Sequence, residues 1–122
     1  MFNQWNQGKS SMSIDLSHKK GLEIVHQLVS KSDVLVQNFA TGVLDRMGLG
    51  YEQLKMINPR LILVSISGYG QTGPYRKYMG YGPAIPPLTA LSEGTGYIGG
   101  GPQEIGISMP DPPAGITGTL GV

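Results

Sequence analysis

The run Leu61-Ile62-Leu63-Val64-Ser65-Ile66 is the strongest strand signal in this chain, and it constrains what the rest can build. Branched apolar residues in a short run bounded by turn formers suit a buried strand. A second apolar run, Asp33 to Val36, lies upstream and closes at Gln37-Asn38-Phe39. Between the two, the pattern predicts short helices over Val43–Met47 and Tyr51–Ile57, broken at Gly48-Leu49-Gly50. Asn58-Pro59 stops the second helix, because a residue before proline disfavours helical backbone. Further upstream, His18–Ser30 carries Leu22, Val25, Leu28 and Val29 at helical spacing, with Ser17 as the expected N-cap. Met12–Leu16 reads as one more short strand. Strands that alternate with helices predict a parallel α/β sheet, with ligands held by the loops after the strands. Asn38-Phe39 and Ser67-Gly68-Tyr69 lie just past two strand ends and are candidate site positions on that ground alone.

The second half differs in character. Residues 62–122 hold most of the chain's 19 glycines and all but one of its 9 prolines. Such a stretch forms few long elements and is costly to order. Tyr69, Tyr75, Tyr78, Tyr81 and Tyr97 are interleaved there, whereas disordered segments are poor in aromatics. The expectation is a long, ordered, functional loop region. Ala84–Ser92 has helical character that Pro86-Pro87 confines to a helix start. Pro112-Pro113 fits the first turn of a last helix running through Leu120, with Asp111 at its N-cap or just before. The first strand starts close to residue 1, and the last helix meets the C-terminus without a partner strand. The fold class expected is therefore α/β: a partial, parallel, Rossmann-like sheet with flanking helices, truncated at both ends.

Composition excludes several functions. The formal net charge is +1 and charged residues make up 14% of the chain, with no dense basic run for a nucleic acid or a membrane surface. There is no cysteine, which removes disulfides, thiolate metal sites and a thiol nucleophile. His18 and His26 are too few for a zinc site. Residues 1–11 lack the apolar core of a signal peptide, and no apolar run approaches the ~20 residues needed to span a bilayer. A soluble, cytoplasmic protein without a metal or a tightly bound cofactor is expected.

Gly68-Tyr69-Gly70-Gln71-Thr72-Gly73 matches the G-x-G-x-x-G dinucleotide pattern and follows a strand. That fingerprint needs its last glycine inside the start of a helix, whose N-terminus faces the pyrophosphate. Pro74-Tyr75-Arg76-Lys77-Tyr78-Met79-Gly80 follows instead, without an apolar helical stripe, and the acidic residue at the required distance, Glu93, is not at a strand end. A glycine-rich turn of another purpose is expected.

A set of short blocks resembles one family. Asn6-Gln7-Gly8-Lys9-Ser10-Ser11 with Ile14-Asp15-Leu16, Asp33 to Phe39, and Gly42 to Leu49 occur in the order found in family III CoA-transferases. Asn58 to Ile62, Ser65 to Pro74, and Gly106-Ile107-Ser108 with Asp111 to Gly115 continue the same order. Any one block is weak, but together they cover nearly the whole chain. This is the family of formyl-CoA and carnitine CoA-transferases, also called CaiB/BaiF-like. The resemblance implies that residues 1–122 are part of the large, CoA-binding domain of a longer enzyme that forms interlocked homodimers.

The resemblance also implies a chemistry. In the family an aspartate attacks an acyl-CoA thioester, giving first a mixed anhydride and then an aspartyl-CoA thioester, from which a carboxylic acid collects the CoA. Asp111 matches that aspartate, and nucleophilic catalysis by a carboxylate divides one hard exchange into easier steps. Read from the residue alone, Asp111 is equally an ordinary helix cap. Lys9, Asn38, Phe39, Arg46, Met47 and Tyr69 match positions that contact CoA or border the acyl site. Arg46 and Lys9 suit phosphates, while Phe39 or Met47 suits the adenine or the pantetheine arm. Their plain readings are surface charges for Arg46 and Lys9, core packing for Phe39 and Met47, and a partly buried aromatic for Tyr69. Gly80-Tyr81-Gly82 stands where the family's racemase branch has Gly-His-Asp, and tyrosine is a poor replacement for an imidazole that must handle an α-proton. Ser67 replaces a lysine of formyl-CoA transferase. The alternatives to an enzyme are a non-catalytic acyl-CoA or nucleotide-binding module and an inactive fragment.

Overall fold

The computed structural model describes residues 2–104, 106 and 108–122. Ile107, part of the last sequence block, and Met1 lie outside the described residues. Phe2–Trp5 forms a single helical turn, α1. Met12–Leu16, expected as a strand, is irregular backbone. A strand exists only through its pairing, and the sheet among the described residues is built from two later strands. A local turn shapes the segment instead: Asp15 Oδ1 accepts from the Ser17 N–H at 2.9 Å and from its hydroxyl at 2.7 Å. These bonds, the hydroxyl's first and then the amide's, hold the Asp15 carboxyl below its usual range. The folded pKa lies below the unfolded one, so this contribution is present at neutral pH and is lost as pH falls through the lowered value.

The Ser17 hydroxyl is thereby committed to Asp15, and the helix cap passes to the next residue. His18 Nδ1 accepts from the Lys20 N–H at 3.2 Å and opens α2, Lys19–Val29. Gly21 lets the incoming chain lie against this first turn, since a Cβ there would collide with the Asp15 carbonyl. Leu22 and Val25 pack on the core and Val29 is buried, whereas Leu28, expected on the same face, is 43% exposed on its flank.

Next come β1 (Val34–Gln37), α3 (Val43–Arg46), α4 (Tyr51–Ile57) and β2 (Ile62–Ser65). The strands pair in parallel, with Val34 opposite Ile62 and Gln37 opposite Ser65. The α/β reading of the sequence therefore holds: α3 and α4 form the crossover between two parallel strands. Buried Val29, Leu49, Leu54 and Leu61 form the core, with Leu35, Leu44 and Met47 packed against it. Asn58, at the end of α4, ties this layer together. Its Nδ2 donates to the carbonyls of Val29 at 3.0 Å and Ser32 at 2.7 Å, while its Oδ1 accepts from the Arg60 N–H at 3.0 Å. Asn58→Ala leaves those partly buried groups unpaired, and a loss of about 1–3 kcal/mol in urea unfolding is expected.

Beyond β2 the chain is mostly turns, as its glycine and proline content requires. A 3₁₀ turn at Gly82–Ala84 leads into α5, Ile85–Leu88, which is one turn long instead of the helix expected to Ser92. Pro86 and Pro87 fit only a first turn, and Ala90 at φ 58° takes the chain out of helix. The last element is α6, Asp111–Leu120, with Asp111 in its first turn. A Cβ at Gly118 would lie 3.2 Å from the Val64 side chain, so the bare backbone of α6 rests on β2. Val64 alternates with Leu63, so α6 covers the sheet face opposite the core.

Candidate active site

The ends of β1 and β2 open onto one cleft, whose volume is about 520 Å³. Each strand end is fixed by short-range bonding. After β1, the buried Gln37 side chain accepts from the Phe39 N–H at 2.6 Å, which turns Asn38 and Phe39 across the strand end. After β2, the glycine-rich turn follows, and turns and bends, not a helix, continue directly from it through Tyr78. Gly70 and Gly73 adopt φ of 76° and 87°, conformations that favour glycine. Gly68 serves another need: a Cβ there would lie 2.7 Å from the Gly80 Cα, so this pair closes the neck of a loop. The dinucleotide-like spacing is thus the signature of a closed loop. Inside it Tyr69, Tyr75 and Tyr78 form an aromatic cluster with ring centroids 5.4–6.3 Å apart. The Thr41 hydroxyl donates to the Gly70 carbonyl at 3.2 Å and links the two post-strand loops.

Asp111 reaches the same cleft from α6. Two contacts hold the helix in place: near its C-terminal end Gly118 rests against β2, and ahead of its first turn a Cβ at Gly82 would lie 2.5 Å from the Ser108 side chain. Asp111 is exposed to solvent within the cleft. Of the sequence candidates, Asn38, Phe39 and Asp111 line the cleft together. Tyr69 is half-buried in the aromatic cluster, of which Tyr78 lines the cleft. Met47 packs on the core, Arg46 is exposed in the last turn of α3, and the Lys9 Nζ donates to Asn6 Oδ1 at 3.1 Å near α1. Among the described residues, no group of three or more His, Asp or Glu is placed to hold a metal ion.

The whole chain, residues 1–122, matches the family model of CoA-transferase family III. The chain belongs to that family. Family III relatives similar to it include a protein of Acetobacter aceti named acetyl-CoA:oxalate CoA-transferase, 42% identical over 83% of this chain and 26% of the relative. A succinate–glutarate CoA-transferase of Agrobacterium fabrum is 39% identical over 91% of this chain and 28% of its own length. Among solved structures, a CaiB/BaiF family protein from Brucella suis superposes with a TM-score of 0.86 at 39% identity, over 94% of this chain and 32% of that one. The chain thus spans about a quarter to a third of the proteins it matches.

One charged residue of the cleft escaped the sequence reading. Arg76 lines it, on the loop closed by Gly68 and Gly80. A signal was available: Arg76 and Lys77 are the sole basic residues after Arg60. What the sequence lacks is the loop closure that turns one of them toward Asp111's cleft.

Proposed function

We propose that this chain carries the nucleophile and part of the substrate cleft of an enzyme that moves CoA from an acyl-CoA to a carboxylic acid. The observation that carries the reading is the meeting of Asp111 with Asn38 and Phe39 in one open cleft at the strand ends. A carboxylate that is accessible there can reach a thioester laid along the loops. In the first half-reaction an Asp111 oxygen attacks the thioester carbonyl, the C–S bond breaks and CoA leaves as thiolate. The thiolate then attacks the aspartyl carbonyl of the mixed anhydride, releasing the donor acid as carboxylate and leaving an aspartyl-CoA thioester. An acceptor acid reverses both steps, and Asp111 is regenerated.

Asn38 and Phe39 border the thioester end of the substrate in this reading. Lys9, Arg46 and Met47 lie outside the cleft and serve the more distant parts of CoA, and Tyr69, on the loop after β2, borders the acyl site. Relatives are named for oxalate, succinate and glutarate, so the acid class proposed is dicarboxylic. The working enzyme is an interlocked homodimer in the cytoplasm. Among the described residues, no helix is long and apolar enough to cross a membrane.

The test is an exchange assay with the full gene product that carries this chain. Acetyl-CoA or succinyl-CoA is supplied with oxalate, succinate or glutarate, and the CoA esters are separated by chromatography. Formation of a new acyl-CoA, with free CoA staying at trace level, is expected. CoA binding without exchange for any donor and acid pair would instead favour a binding module.

A further inference from the structure

Exchange at Asp111 poses an electrostatic problem. The acceptor must bring its own carboxylate to an aspartyl centre, and the donor acid leaves as a carboxylate beside a carboxylate. Like charges in a cleft with apolar walls such as Phe39, Ile66 and Ile85 repel more strongly than in water. A fixed cation is needed, and Arg76 is the cleft's one basic residue among the described lining residues. Its Nη1 donates to the Gly73 carbonyl at 3.1 Å, which anchors the side chain and leaves further guanidinium N–H groups for a ligand. Tyr75 and Tyr78, whose rings lie 5.4 Å apart, flank it in sequence and pin its backbone to the loop.

We propose that Arg76 holds the unreacting carboxylate of a dicarboxylic acid while the acid's other carboxylate exchanges CoA at Asp111. This assignment rests on the transferase reading above. The planar guanidinium matches a carboxylate with paired hydrogen bonds. The reacting carboxylate is not its target, because an oxygen held in such a pair is a poorer nucleophile toward the thioester. A monocarboxylic acid would set an alkyl group against Arg76 and leave that charge unpaired, so Arg76 selects for the second acid group. Its role is to position and select: the bonds made and broken remain those at Asp111, the thioester carbonyl and the CoA sulfur.

The experiment compares wild type with Arg76→Gln and Arg76→Lys in the full gene product, with acetyl-CoA as donor. The acceptors are glutarate or succinate, whichever wild type uses faster, and its monomethyl ester. Wild type is expected to prefer the diacid by about 10–100-fold in kcat/KM, the scale of a charge-assisted pair. Arg76→Gln collapses that preference to within about twofold while kcat/KM for acetyl-CoA stays unchanged, and Arg76→Lys restores part of it. A preference that survives Arg76→Gln, or a wild type without any preference, overturns the assignment. Calorimetric binding of the diacid keeps this separate from the chemistry. If wild type exchanges no CoA at all, the transferase reading fails, yet loss of diacid binding in Arg76→Gln still supports the carboxylate site and unchanged binding rejects it.

Discussion

Asp111→Asn in the full gene product is expected to lower CoA exchange by about 10³-fold or more, since an amide cannot form the covalent intermediate. In the proposed scheme the exchange is divided into steps because a protein carboxylate stores the CoA between donor and acceptor. Without it, acceptor and thioester must react directly, and any residual rate should follow sequential kinetics in place of ping-pong. The substitution is nearly isosteric at an exposed side chain, so the melting temperature should stay that of wild type. CoA itself should still raise that temperature, because Asn38 and Phe39 are intact. Substantial exchange in both Asp111→Asn and Asp111→Ala would remove the nucleophile from the scheme.

Leu54→Ala is expected to cost about 2–5 kcal/mol, a large part of the 5–15 kcal/mol that typically separates folded from unfolded protein. Leu54 is fully buried at 0% exposure, between Val29 of α2 and Leu49 and Leu61 on either side of α4. Removing its side chain opens a cavity where α2, α4 and the sheet meet, and Asn58 holds those same elements close, so the gap cannot readily collapse. Urea unfolding should show a lower midpoint, and the amides of α2 and α4 should exchange faster with solvent. Met56→Ala, two residues on and 86% exposed, is the control, with a change within about 0.5 kcal/mol. Equal losses for the two variants would mean that the core lies elsewhere.

The elements on which both effects depend were readable because their signals are local. Period and punctuation gave α4 its bounds at Gly50 and Asn58-Pro59, and the apolar runs marked β1 and β2 within a residue at each end. Parallel pairing followed from the helices between them. Signals failed where a remote or competing partner decides. Met12–Leu16 has the composition of a strand but no neighbour to pair with among the described residues. Ser17 has the chemistry of a cap, but Asp15 claims its hydroxyl first. Residues 84–92 look helical in composition, yet consecutive prolines and the left-handed Ala90 allow one turn only.

The cleft was legible in part. Asn38, Phe39 and Asp111 stood out through strand ends and family motifs, although their meeting depends on contacts across long sequence separations. Gly118 on Val64 brings α6 to the sheet, and Gly68 against Gly80 closes the loop that carries Arg76. Neither contact leaves a periodic mark in the sequence. The glycines themselves were visible, but a glycine that permits close approach and one that permits positive φ read alike until the backbone is seen.

The central claim is that Asp111 carries CoA covalently, and hydroxylamine trapping tests it most directly. The full gene product is incubated with acyl-CoA and hydroxylamine, digested, and its peptides are sequenced by mass spectrometry. The expected result is a hydroxamate at Asp111 that appears only when acyl-CoA is present and is absent from Asp111→Asn. Exchange that proceeds with Asp111 unmodified, or with the hydroxamate on another acidic residue, would contradict the account.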